Sequence, residues 1–169
     1  MTTSLPQAEE LLAALAERMR PAVTPDTALI GIHTGGVWIA QRLHQMFSTR
    51  PPLGTVDVSF YRDDYGSRGL HPKIKPSDIP FDVTGADIVL VDDVLHTGRT
   101  IRAAMNELFD YGRPRSIRLA ALVDRGGRQL PIAAQFVGAE LDVAGDEQIE
   151  LTRDAAGRLG LKLNRAGAA

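Results

Sequence analysis

The stretch from Ile88 to Thr100, IVLVDDVLHTGRT, constrains this chain more than any other. Its first four residues, with Ala86 just before them, form an apolar and largely β-branched run. Such a run suits a strand buried on both faces of a parallel sheet. Asp92 and Asp93 follow, then His96-Thr97-Gly98-Arg99-Thr100. From Arg99 the spacing turns helical, with Ile101, Met105, Leu108 and Phe109 at i, i+4, i+7 and i+8. The unit is a strand, an acidic corner, a loop carrying hydroxyls and a glycine, and a helix.

That unit suits a phosphate. Gly98 allows a tight turn and close backbone approach, while loop N–H groups and the positive end of the helix favour an anion. Thr97 and Thr100 add hydroxyl donors. Two carboxylates would repel a lone phosphate, but they are useful where they accept hydrogen bonds from sugar hydroxyls or lie near a bound cation. Neighbouring residues of a regular strand face opposite ways. If both acids meet one ligand, the chain is expected to leave the strand at Asp92. Together the features describe a site for a ribose 5-phosphate with Mg²⁺ beside it. A buried strand followed by a capped helix, with the acids as turn residues, accounts for the Thr-Gly pair alone. Neither the Gly-Lys-Ser/Thr of a nucleotide phosphate loop nor the three spaced glycines of a dinucleotide fold is present.

The 169 residues suit one domain, 1–169, with room for a central sheet and flanking helices. The absence of cysteine excludes disulfides and thiolate metal sites, and His33, His44, His71 and His96 lack zinc spacing. No apolar run approaches the roughly 18 to 20 residues that span a bilayer, and the start lacks a signal-peptide pattern, so the cytoplasm is expected. A net charge of −2 argues against broad nonspecific nucleic-acid binding and leaves only a local patch for any RNA.

Along the chain, Ser4-Leu5-Pro6-Gln7 reads as a capping box ahead of an apolar stripe, Ala8, Leu11, Leu12, Leu15 and Met19, closed by Pro21. The stripe reads as a core or subunit contact. Ala28 to Ile32 is a second buried strand, followed by His33-Thr34-Gly35-Gly36 and a helix carrying Val37, Ile39, Ala40, Leu43 and Phe47. Its loop is either a second anion cradle or a plain turn. Val56 to Phe60 alternates as a strand. A Gly-, Pro- and Lys-rich segment then makes a flexible loop at about 62–82, either a lid or a solvated face, with Arg68, Lys73 and Lys75 available to phosphates. Gly112 and Pro114 close the central helix. Ile117 to Val123 and Phe136 to Gly138 are further strands, and 148–152 with 159–163 form a hairpin. The fold class is α/β: a mainly parallel twisted sheet flanked by helices, with a small C-terminal β-hairpin. Ligands are expected beyond the C-terminal strand ends.

The central string resembles the phosphoribosyl pyrophosphate (PRPP) signature of type I phosphoribosyltransferases. With GIHTGG (31–36), SFYRDD (59–64), GRP (112–114) and LVDRGGRQLPI (122–132), it resembles the PyrR family. That family combines uracil phosphoribosyltransferase activity with regulation of pyrimidine operons through their leader mRNA. The resemblance implies that Asp92 and Asp93 hold the ribose hydroxyls and help place Mg²⁺-PRPP. It gives His96, Thr97, Gly98, Arg99 and Thr100 the 5-phosphate, and Thr34 and Gly35 the pyrophosphate. Val123, Asp124 and Arg125 would face the base. Implied partners are PRPP, uracil, UMP and a leader mRNA, in a homo-oligomer, with Arg18, Arg20, Arg125 and Arg128 as RNA contacts.

Two departures stand out. Gly35 replaces an arginine that family members often carry. Gly127 replaces a histidine of regulatory members, whose first helix also presents polar residues where 11–16 here is apolar. Three readings remain open: a uracil transferase, an RNA-binding attenuator that uses nucleotide as effector, and a type I transferase for another base. The last lacks the lysine and aromatic residue that hypoxanthine enzymes place around the base.

Overall fold

The computed structural model describes residues 4–59 and 77–165. Most of the expected loop at 62–82, with its Arg68, Lys73 and Lys75, lies outside the described residues. The elements are α1 (Ala8–Met19), a 3₁₀ turn (Arg20–Ala22), β1 (Thr27–Ile32), α2 (Gly35–Met46), β2 (Leu53–Val56), β3 (Asp87–Leu95), α3 (Arg99–Tyr111), β4 (Ser116–Asp124), β5 (Phe136–Glu140), β6 (Glu147–Arg153) and β7 (Leu159–Arg165). Five parallel strands form a sheet in the order β2-β1-β3-β4-β5. β6 and β7 pair antiparallel as a separate hairpin.

Each face of the sheet is covered. Leu29, Val89, Val91, Ala120 and Leu122 pack with α1, α2 and the hairpin residues Ile149, Leu151 and Leu159. Ile30, Ile88, Leu90, Leu119 and Ala121 pack with Ile101, Ala104 and Leu108 of α3. The two-sided burial explains the continuous apolar runs in β1, β3 and β4, since no face of these strands meets water. The α1 stripe is core: Leu12, Leu15, Ala16 and Met19 are all buried within the chain.

Several sequence expectations shift. Ser4 does not cap α1. The helix starts at Ala8 behind an extended Gln7, without a side-chain cap, and Glu9 and Glu10 face its positive end. Leu5, which precedes Pro6, is biased toward extended backbone, and that delays the helix. The strand expected at Val56 to Phe60 lies earlier, at Leu53–Val56, because it pairs with Leu29 to Ile32 and β1 ends there. Beyond Val56, Asp57 Oδ1 accepts the Ser59 N–H at 3.0 Å and turns the chain. Phe109, expected on the α3 stripe, is 56% exposed, whereas Leu108 beside it is buried.

The most consequential shift concerns the acids. The chain does not leave the strand at Asp92. β3 continues to Leu95 because β4 keeps pairing with it, through Asp92↔Ala121, Val94↔Val123 and Leu95↔Asp124. Its other neighbour, β1, pairs only as far as Gly31↔Val91. The acidic end of β3 therefore has a sheet partner on one side and the start of α2 on the other.

Candidate active site

The loops that follow β1, β3 and β4 leave adjacent parallel strands at the same sheet edge, which is where α/β folds bind ligands. Sequence alone located all three loops.

The first is shorter than expected, because Gly35 is already helical and Thr34 is the N-cap of α2. It is packed directly onto β3. A Cβ on Gly35 would lie 2.8 Å from Asp93 Cγ, and one on Gly36 would lie 3.1 Å from Asp92 Cα and nearer still to the Val91 carbonyl. Glycine is required here by close approach, since neither glycine has positive φ. Asp92 is buried and Asp93 half-buried. Asp92 Oδ1 accepts the Asp93 N–H at 2.9 Å, and Asp93 Oδ1 accepts the Val94 N–H at 2.8 Å. These bonds fix both carboxyls, with Asp93 Oδ2 toward Gly35.

The second loop enters α3 through Gly98, whose φ of +93° is left-handed. Thr97 is buried, and its Oγ1 accepts the Arg99 N–H at 3.2 Å. Neither α2 nor α3 has a side-chain N-cap hydrogen bond. Their first-turn N–H groups lie at neighbouring strand ends and favour anions there. Thr100 is half-buried in the first turn of α3, and the Arg99 side chain turns aside, Nε donating to Gln129 Oε1 at 2.9 Å.

The third loop is a turn built on side chains. Val123 is fully buried in the core, so only its backbone is available to a ligand. Asp124 Oδ1 accepts the Gly126 N–H at 2.9 Å, and Asp124 Oδ2 pairs with Arg128. Arg125 points to the hairpin, donating from Nη1 to the Glu147 carbonyl at 2.8 Å. His96 Nδ1 donates to the Gly126 carbonyl at 2.9 Å. A Cβ on Gly127 would lie 2.6 Å from His96 Cε1, so His96 fills the space that a side chain at 127 would need.

Beside this turn is an open pocket of about 430 Å³ lined by Asp124, Arg125, Gly126, Arg128 and the stretch Glu140, Leu141 and Asp142. That last wall was missed in the sequence. β5 runs to Glu140, two residues past the expected end, and the Leu141 N–H donates to the Asp124 carbonyl at 2.9 Å. The rule that ligands gather at C-terminal strand ends would have included it, had the strand been given its full length.

The four arginines considered as nucleic-acid contacts are each engaged within the chain. Arg18 donates to the carbonyls of Val137 and, at 3.2 Å, Gly138. Arg20 pairs with Glu17 at 2.8 Å and lies over the Phe47 ring. Arg125 holds the hairpin, and Arg128 bonds to His96, Asp124 and Ile132.

Among the described residues no group of three or more His, Cys, Asp or Glu could cage a metal. Two fixed carboxylates at a loop able to hold phosphates do fit Mg²⁺, which commonly binds one or two carboxylates together with substrate phosphates. Asp92 and Asp93 would supply that protein share.

Residues 3–148 match the phosphoribosyl transferase domain family. The chain is 53% identical over 144 residues to the bifunctional protein PyrR of Nitrosococcus oceani, an alignment covering 84% of this chain and 81% of that one. To the bifunctional protein PyrR of Pseudomonas fluorescens it is 50% identical over 153 residues, covering 88% and 91%. Among solved structures, a purine phosphoribosyltransferase from Pyrococcus horikoshii is similar with a TM-score of 0.62 at 29% identity, covering 80% of this chain and 83% of that one. A hypoxanthine-guanine phosphoribosyltransferase from Bacillus anthracis shares the fold at a TM-score of 0.65 and 19% identity, covering 83% and 85%.

Proposed function

This chain belongs to the PyrR family of phosphoribosyltransferases, and from that premise we propose that it transfers the phosphoribosyl group of PRPP to uracil, giving UMP and pyrophosphate. The observation that carries this is the convergence of three loops on adjacent strands: an acid pair, two helix starts without an N-cap side-chain bond, and an open pocket beside the β4 turn. The 5-phosphate sits on 96–100, held by the first-turn amides of α3 and the hydroxyls of Thr97 and Thr100. The ribose hydroxyls donate to Asp92 and Asp93 across the edge of β3 that opens where its pairing with β1 ends at Val91, an edge that both faces of the strand border. Pyrophosphate departs toward Thr34 and Gly35 at the start of α2. The base lies against the backbone of 123–125 and the pocket wall at 140–142.

Substitution at the anomeric carbon passes through an oxocarbenium-like state. The fixed carboxylates favour that positive charge, while amides of the α2 start favour charge on the leaving group. Mg²⁺, when bound with PRPP, would neutralise pyrophosphate charge beside Asp92 and Asp93.

The regulatory half of the reading, binding of a pyrimidine-operon leader RNA in response to UMP, goes with PyrR family membership. Arg18, Arg20, Arg125 and Arg128 are engaged within the chain, so RNA would meet them after rearrangement or would meet other groups. A single domain working as a homo-oligomer in the cytoplasm belongs to the same reading, and no helix among the described residues is long and apolar enough to cross a membrane.

The test is product formation from labelled uracil and PRPP with Mg²⁺, with hypoxanthine and guanine as competing bases. UMP as the main product supports the reading. Turnover of a purine with none of uracil overturns it.

A further inference from the structure

The 5-phosphate loop and the base turn are bonded to one another at several points. The Thr97 carbonyl accepts the N–H groups of Gln129 (2.9 Å) and Leu130 (3.2 Å), and the Leu95 carbonyl accepts the Arg125 N–H at 3.0 Å. The Arg99–Gln129 and His96–Gly126 side-chain bonds span the same gap. One side chain reaches three points of this seam. Arg128 donates from Nη1 to the His96 carbonyl at 2.8 Å and from Nε to the Ile132 carbonyl at 2.8 Å, and its Nη2 pairs with Asp124. His96 opens the phosphate loop, Asp124 opens the base turn, and Ile132 lies against Gly98, whose Cβ would stand 3.0 Å from Ile132 Cγ1. The Arg128 side chain is only 25% exposed.

We propose that Arg128 is a positioning residue that sets the separation between the 5-phosphate loop and the base turn, and so acts on ligands that occupy both. The proposal rests on the nucleotide reading above. A nucleotide carries a phosphate and a base at a separation fixed by its ribose, so it binds best where the two receptors are already correctly spaced. Ordering them only on binding would weaken affinity. The planar guanidinium fork meets three acceptors in fixed directions, and an ammonium cannot reproduce this. The guanidinium is spent inside the protein, in bonds that RNA binding would have to break.

A ligand that uses one receptor is the natural control. Calorimetry on the full chain would compare UMP with ribose 5-phosphate for wild type, Arg128→Ala and Arg128→Lys, with thermal melting alongside. Loss of charge-assisted bonds at the seam is expected to weaken UMP by about tenfold or more in Arg128→Ala. Ribose 5-phosphate should change by less than about threefold, since the α3 amides and the Thr97 and Thr100 hydroxyls that hold its phosphate do not bond Arg128. Arg128→Lys should restore the Asp124 pair but recover only part of UMP affinity. If the alanine chain melts below the assay temperature, the lysine variant carries the same comparison. Equal weakening of both ligands, or no change in UMP, overturns the proposal. So does an Arg128→Ala chain that loses binding of leader RNA but keeps that of UMP. A wild type that binds ribose 5-phosphate but not UMP would instead overturn the base assignment, a result visible before any variant is made.

Discussion

The loop after β1 and the turn after β4 leave the same edge of the sheet on either side of β3, yet different forces hold them. The β1 loop is set by backbone proximity: Gly35 and Gly36 leave no room for a methyl group against Asp93, Asp92 and the Val91 carbonyl. The β4 turn is set by directed bonds from Asp124, Arg125 and Arg128, and around Gly126 there is open space, with nothing within 4 Å of its would-be Cβ. Close packing fails abruptly, because a backbone carbonyl cannot step aside. A hydrogen-bonded turn loses stability in increments. The first therefore suits the placement of charge and the second suits adjustment to a base.

The largest expected effect separates charge from packing at the β1 loop. Asp93→Asn keeps the volume over Gly35 and removes the charge. Activity should fall by 10²–10³, about 2.7–4 kcal/mol of transition-state stabilisation, with the melting temperature little changed. Steady-state turnover and a melting curve check this together. Near-wild-type turnover would mean that the acid only packs.

Next come paired glycine substitutions that put the same methyl group on both loops. Gly36→Ala meets backbone and should destabilise by about 1–3 kcal/mol. Gly126→Ala meets no atom but retains a φ of +73°, and should cost about 1 kcal/mol. Urea unfolding of the two variants measures the difference. Equal losses would erase the contrast between the loops.

The smallest effects should appear on acidification, away from the cleft. Arg42 hydrogen-bonds Glu9 and holds its carboxyl below the ordinary range against a smaller upward push from burial, and the Leu159 N–H adds to the lowering at 2.9 Å. At the far end of β3, Arg115, then Ser116, lower Asp87 to about 2. A depressed carboxylate stabilises the fold above its unfolded pKa of about 4, and that share is lost as pH falls through the folded value. Glu9→Gln and Asp87→Asn should each flatten the decline in melting temperature below about pH 4 and leave the pH dependence of turnover near neutrality unchanged. A shift in the turnover profile would tie these pairs to the cleft.

Much of this was legible in the sequence, and the reasons differ by region. The β3–α3 unit was readable because burial on both faces forces an unbroken apolar run and α3 needs a periodic stripe. The hairpin was readable from strict alternation. The continuation of β3 past Asp92 was not, because it depends on how far β4 extends as a partner. Nor were the roles of Arg18 and Arg125, which bond carbonyls of chain segments that no local pattern identifies as neighbours. The pocket wall at 140–142 was hidden for a similar reason, since the end of β5 follows from its pairing with Ala120 to Asp124.

If the loops after β3 and β4 form one nucleotide site at the C-terminal edge of the sheet, saturating UMP should slow amide hydrogen exchange at 97–100 and 124–126 together, with the hairpin amides at 154–158 unchanged. Protection confined to one of the two loops, or centred on the hairpin, would contradict a single shared site.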